Sequence, residues 1–257
     1  MEKIKIIDTN ADNLLEYDLC GYKKLTTPGY REKVEWLKNR FSEGLRIKTL
    51  YSIEDGTLGM IEYIPGEWCW RAVEAHGYMF IHCLVIMKRA YKGKGYGSLL
   101  LNECLNDAIK EHMHGVAVVT RKSTFMVDKH IFLKNGFVVV DKAPPDFELL
   151  VKRFHENNAM PKFKGDWKNK AIKYGKGLSI IKADQCPYSV KNVEEIIETA
   201  QNIYGLKPTL IKLKTCEDAR NTPCAFGTFC IVYSGEVIAD HPISNTRFKN
   251  IMNKIAH

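Results

Sequence analysis

An apolar strand that runs directly into a glycine-rich, basic helix start limits what this chain can fold into more than any other feature. Residues 80–86 (Phe-Ile-His-Cys-Leu-Val-Ile) read as the strand, and Met87, Lys88 and Arg89 lead out of it. The turn that follows is Lys92-Gly93-Lys94-Gly95-Tyr96-Gly97-Ser98. Beyond it Leu101, Cys104, Leu105, Ala108 and His112 recur at the spacing of one helical face. The first turn of a helix offers N–H groups without intrahelical acceptors, and the dipole adds positive charge there. Glycines let that backbone approach a bulky anion with no Cβ in the way. The segment therefore predicts a seat for a phosphate or pyrophosphate.

The spacing excludes two common phosphate loops. No Gly-Lys-Ser/Thr follows a first glycine as a Walker loop requires, and Gly93-x-Gly95-x-Gly97 continues with Ser98, Leu99 and Leu100 rather than completing G-x-G-x-x-G. The turn resembles the Arg/Gln-x-x-Gly-x-Gly/Ala signature of the GNAT acetyltransferase superfamily, with Lys92 in the place of Arg or Gln. Further on, His130-Ile131-Phe132-Leu133-Lys134-Asn135-Gly136-Phe137 resembles the family's closing helix, turn and strand. Gly136 suits the left-handed position that ends a helix.

The resemblance spans residues 1–154. It implies an α/β (α+β) GNAT fold with a mixed central sheet whose fourth and fifth strands splay apart, and acetyl-CoA as co-substrate. By position, Lys92, Gly93, Lys94, Gly95, Tyr96, Gly97 and Ser98 would cradle its pyrophosphate. Val85, Ile86 and Met87 would pair with the pantetheine amides in the gap.

The rest of the first part reads as a strand at residues 3–7, a helix carrying Tyr30, Val34, Leu37 and Phe41 on one face, and a hairpin of residues 45–52 and 58–64. The hairpin turns at Asp55-Gly56. A strand at 116–120, a helix at 124–135 and strands at 137–141 and 147–153 complete it. Residues 155–176, rich in Lys, Asn, Gly and aromatics, read as a linker that packs on one or both neighbours. Residues 177–257 then give strand (178–182), helix (193–203), strand (209–213), a hairpin (228–233 and 236–240) and a last helix capped by Asn245. This is a minimal thioredoxin-like layout. Cys186-Pro187-Tyr188-Ser189 resembles a glutaredoxin Cys-Pro-Tyr-Cys with Ser189 in place of the second cysteine. The two-part layout and the run Ala225-Phe226-Gly227 resemble GNAT proteins with a C-terminal YoaP-like domain.

Acetyl transfer to an amine needs a proton acceptor for the amine, stabilisation of the carbonyl oxygen and a proton for the thiolate as it leaves. In the family the acid is a tyrosine of the closing helix; Phe132 holds that place here, and Phe125 that of the usual asparagine. His82 and Glu62 are the candidate catalytic residues, His82 as acceptor of the amine proton. Each has a plainer reading, His82 as a core histidine and Glu62 as part of a solvated strand face, and Cys83 reads as packing. Trp68, Trp70 and Arg71 lie in a loop that should border the acceptor site, where Arg71 could bind a substrate carboxylate or serve on the surface. Cys186 reads either as a reactive thiol at a helix start or as a buried capping thiol.

Composition narrows the classes. The net charge of +8 comes with no nucleic-acid motif, which argues against a nucleic-acid partner. No apolar run is long enough for a bilayer, and the start of the chain reads without an export signal, so a cytoplasmic protein is expected. In that compartment the eight cysteines read as free thiols, and Cys216 and Cys224 match no usual zinc spacing, so no metal is expected. The leading expectation is an acetyl-CoA-dependent N-acetyltransferase acting on a small-molecule or peptide amine, with an accessory domain that shapes the site or a homodimer. The alternatives are a CoA-binding or thiol-sensing module without transfer, and a monothiol oxidoreductase working through Cys186.

Overall fold

The structure, a computed structural model, describes residues 4–22, 24–122 and 125–255. Lys3 and Thr124, where a strand and a helix are expected to begin, lie outside them. The elements in chain order are β1 (Ile4–Thr9), α1 (Tyr30–Phe41), β2 (Arg46–Ser52), β3 (Gly56–Pro65), β4 (Val73–Glu74) and β5 (Tyr78–Ile86). Next come α2 (Tyr96–Lys110), β6 (Gly115–Thr120), α3 (His130–Lys134), β7 (Val138–Ala143), β8 (Phe147–Arg153) and β9 (Lys162–Phe163). The remainder are α4 (Trp167–Ile172), β10 (Leu178–Lys182), α5 (Tyr188–Asn202), β11 (Thr209–Lys212), α6 (Cys216–Arg220), β12 (Phe229–Tyr233), β13 (Glu236–Ala239) and α7 (Asn245–Ile255).

The chain divides into two compact units. The first comprises Met1–Leu25, Val34–Cys69 and Val73–Phe163; the second comprises Thr26–Lys33, Trp70–Ala72 and Lys164–His257. Among the described residues no helix is long and apolar enough to cross a membrane.

The first unit is built on a mixed seven-stranded sheet, in the order β1-β2-β3-β5-β6-β8-β7. Only β5 and β6 are parallel neighbours, and their ladder is short: it joins Tyr78–Ile81 to Gly115–Val118 and stops. β5 runs on to Ile86 and β6 to Thr120 with no further pairing between them. The cause lies on the other side of β5. Against β3, Tyr63 faces Ile81 and Glu62 faces Cys83, so His82 is an extra residue in β5. Such a bulge bends its strand and increases its twist, and here it comes where β5 leaves β6. Gly59 lets β3 follow the bent strand, because a Cβ there would lie 2.5 Å from the Val85 carbonyl oxygen.

One face of this sheet packs on α2 and α3. Leu100, Leu101, Cys104, Leu105 and Ala108 of α2 join Met79, Ile81, Val116, Val118 and Phe132 in a continuous core. A buried polar cluster sits at its margin. Tyr63 donates its hydroxyl to Asp107 Oδ2 at 2.6 Å, Lys48 Nζ lies 3.1 Å from the same oxygen, and Lys48 also pairs with Asp8. Burial pushes the Asp107 carboxyl up, but the hydrogen bonds from Tyr63 and Lys48 outweigh it and hold the group below its ordinary value.

The second unit carries a four-stranded sheet in the order β11-β10-β12-β13, with β10 and β11 parallel and the other neighbours antiparallel. Helices α5 and α7 pack on each other.

Several local details differ from the sequence reading. The helix expected from residue 124 is only His130–Lys134, because Phe125 has φ 67° and the Asp128 carboxylate accepts the His130 N–H at 2.8 Å. The expected linker contains α4, and α6 is an added helix started by a capping box between Thr215 and Asp218. The last helix begins at Asn245 rather than being capped by it; Ser244 Oγ accepts the Arg247 N–H at 3.2 Å.

The Asp107 cluster gives a prediction with a defined sign. A carboxylate whose folded pKa is depressed contributes stability above its unfolded pKa, and loses it as pH falls through the folded pKa. Asp107→Asn should therefore lower the urea midpoint at neutral pH, by about 2 kcal/mol in stability. The gap from wild type should close as pH falls below about 4.

Candidate active site

The glycine turn follows β5 and is held by the β2–β3 turn. Asp55 accepts the Tyr91 hydroxyl at 2.6 Å and the Lys88 ammonium at 2.8 Å through its two carboxylate oxygens. Gly95 is the N-cap of α2 at φ +85° and gives the helix no side-chain cap, so the first-turn N–H groups keep their capacity for an anion. Gly93 stands at φ +76°, and a Cβ added at either glycine would meet nothing within 4 Å. The backbone shape therefore favours glycine at both, and the space above them is open. Lys92 and Lys94 are exposed beside this space. Gly97 differs: a Cβ there would lie 2.7 Å from Ile131 Cδ1, so it serves the close packing of α2 on α3. Ser98 Oγ accepts from Asn135 Nδ2 at 3.1 Å, which ties α2 to the end of α3, and Tyr96 stacks at a tilt on Tyr91.

The splayed strand carries the second group of candidates. Met87 donates its N–H to the Leu58 carbonyl at 2.8 Å, so its amide is turned toward β3. By the alternation of an antiparallel ladder Val85 faces β3 too, while Ile86 and Leu84 turn their amides to the edge that β6 has left. Of Val85, Ile86 and Met87, only Ile86 thus offers backbone groups to the gap. Leu84, which sequence reasoning passed over, joins it; the missed signal was the bulge, which no local pattern announces.

Glu62 and His82 are brought together. His82 Nδ1 lies 3.4 Å from Glu62 Oε1, and the side chains are 0% and 1% exposed. A solvated strand face is therefore the wrong reading of Glu62. His82 packs its ring near Trp36 of α1 and Phe80, at centroid distances of 6.2 and 6.0 Å. The two side chains set an imidazole beside a carboxylate, residue types that suit proton transfer. Phe132 is wholly buried and meets Phe137 edge to face at 5.4 Å, so hydrocarbon fills the place where the resemblance calls for a hydroxyl.

Trp70 and Arg71 correct an expectation. Neither borders open solvent: Trp70 is fully buried and Arg71 is 6% exposed, both within the second unit. Arg71 Nη1 donates to Gln185 Oε1 at 2.9 Å, to Thr228 Oγ1 at 3.2 Å and to the Trp70 carbonyl at 3.0 Å. Its guanidinium lies 5.2 Å from the Phe226 ring centre. Gly227 is required at φ +78°, because a Cβ there would stand 2.7 Å from Arg71 Cα. Arg71 is thus a clamp of the second unit, engaged by protein acceptors. Trp68, in the same loop, is exposed.

Cys186 is half-buried, with Pro187 between it and α5. Ser189 donates its hydroxyl to the Cys186 carbonyl at 2.8 Å. Lys33 Nζ donates to the Gln185 carbonyl at 2.9 Å. Cys216 and Cys224 are buried, and Cys224 donates its thiol to the Phe229 carbonyl at 3.3 Å. Among the described residues no three His, Cys, Asp or Glu side chains form a group that could hold a metal ion.

Comparison with known proteins bears on both units. The acetyltransferase (GNAT) family model matches residues 14–137, and the YoaP-like model matches residues 209–250. The chain is 30% identical over 256 residues to the uncharacterized N-acetyltransferase YoaP of Bacillus subtilis (strain 168), covering 97% of this chain and 99% of that protein. Among solved structures it is similar to an acetyltransferase of the GNAT family from Staphylococcus aureus Mu50. That match has 13% identity and a TM-score of 0.44, and covers 60% of this chain and 100% of the other. It is also similar to the GNAT N-acetyltransferase YhbS of Escherichia coli, solved in complex with CoA. There the identity is 12% and the TM-score 0.42, over 63% of this chain and 91% of the other.

The clamp role of Arg71 is testable. Arg71→Met removes the donor from two buried acceptor side chains and should destabilise the protein by about 3 kcal/mol, read as a lower urea midpoint. A residue kept for a substrate carboxylate would leave that midpoint unchanged.

Proposed function

Because the chain belongs to the GNAT N-acetyltransferase family and is an acetyltransferase of that type, we propose that it moves the acetyl group of acetyl-CoA to the amine of a small molecule or peptide. The observation that carries this reading is the placing of the open glycine turn at the end of a strand that leaves its parallel neighbour. An anion seat and a backbone-lined gap then share one strand end.

The residues fit a pyrophosphate-bearing thioester. The first-turn N–H groups of α2, with Lys92 and Lys94, suit the pyrophosphate. The amides of Leu84 and Ile86 suit the pantetheine arm in the gap. Acetyl-CoA supplies an activated acyl group whose carbonyl carbon is open to an amine. In this reading His82 takes the proton of the attacking amine, and Glu62 holds the ring and stabilises the imidazolium that forms. Burial of the pair keeps bulk water from levelling the transfer. Residues 1–154 are read as the transferase domain, 155–176 as a linker, and 177–257 as an accessory thioredoxin-like domain. The sheet order β11-β10-β12-β13 supports that last reading.

Two experiments test the proposal. Calorimetric titration with acetyl-CoA should show binding by wild type and loss of it in Gly95→Glu, whose circular dichroism stays that of wild type. A side chain at Gly95 fills the open space and strains the left-handed backbone; equal binding by the variant would remove the cradle. In an amine screen read by thiol release, His82→Gln and Glu62→Gln should lower kcat by about a hundredfold, with acetyl-CoA affinity kept. A rate indifferent to both substitutions would take the base role from His82.

A further inference from the structure

Thr120 is the last residue of β6, two positions beyond the point where that strand leaves β5. Its residue is 0% exposed, and its Oγ1 has no hydrogen-bond partner among the described residues. Glu148, opposite Thr120 on β8, accepts Lys129 Nζ at 2.7 Å. A buried hydroxyl without a partner is unfavourable, and native proteins leave few of them. Valine fills the same shape without that penalty, as Val116 and Val118 do at the preceding positions of this face.

The face matters. By strand alternation Thr120 shares the side of Val116 and Val118, which pack with Phe132 of α3. His82 points the other way, toward Trp36 of α1. His82 and the orphan hydroxyl of Thr120 thus lie on opposite faces of the diverging strands. The hydroxyl is on the same face as Phe132, which has none to give.

We propose that Thr120 Oγ1–H donates a hydrogen bond to the sulfur of CoA and stabilises the thiolate as it leaves. The proposal rests on the reading that acetyl-CoA occupies the gap. The amine lone pair forms the new C–N bond, the C–S bond breaks, and its electron pair stays on sulfur. The amine proton goes to His82 and from there to water. Thr120 keeps its own proton and shares it with the thiolate, the negative charge that the transition state creates. A base and a thiolate stabiliser on opposite faces separate the incoming and outgoing groups without a tyrosine.

The test uses the full chain with Thr120→Val and Thr120→Ser, and two probes, CoA and desulfo-CoA, in which hydrogen replaces the thiol. Thermal melting of the ligand-free Thr120→Val protein should match or exceed wild type, because an unsatisfied hydroxyl has been removed. By calorimetry at about pH 9, where a free thiol is largely ionised, Thr120→Val should bind CoA about tenfold more weakly. It should bind desulfo-CoA as wild type does, and Thr120→Ser should restore CoA binding. Unchanged CoA affinity in Thr120→Val, or an equal loss for both probes, overturns the sulfur contact. A wild type that binds neither probe overturns the CoA reading itself, and the proposal with it.

Discussion

The extra residue at position 82 governs the geometry of the first unit. Without it β5 would stay in step with β3 and could pair with β6 along its whole length, giving a closed sheet with nowhere for an extended ligand to lie. With it the ladder to β6 ends at Ile81 and Val118. Leu84 and Ile86 then turn their amides to an open edge, and Thr120 has no strand from β5 beside it. The bulged residue is His82 itself, so the distortion that opens the gap also sets an imidazole at its fork. Glu62 faces the bulge from β3 and is buried by the same pairing.

The glycine turn is the second part of that arrangement. Its position depends on β5, which delivers it, and on Asp55, which holds Tyr91 and Lys88 from another turn. Its three glycines have separate tasks. Gly93 and Gly95 supply left-handed backbone under open space, whereas Gly97 lets α3 close on α2.

The second unit is organised around a buried cation. Arg71 reaches the side chains of Gln185 and Thr228, and Lys33 reaches the carbonyl of Gln185, so two basic residues from the first half of the chain are structural parts of this unit. Both act on the residue next to Cys186. Charge that composition would assign to the surface is thus partly internal.

The local elements were legible in the sequence. Strands at 147–153 and 178–182 coincide with β8 and β10, the Asp55-Gly56 turn joins β2 to β3, and the glycine turn opens α2. Periodicity and turn chemistry act over a few residues, so one sequence suffices to read them, and it also shows that Phe132 brings no hydroxyl. Other features depended on the register between distant strands and on contacts across the chain. They include the bulge at His82, the burial of Glu62, the amides that face the gap, the orphan hydroxyl of Thr120 and the engagement of Arg71 with a residue 114 positions away. Register is settled by which side chains fit together on a shared face. Only the tertiary structure could decide these, because no short window of sequence contains both partners of the contact.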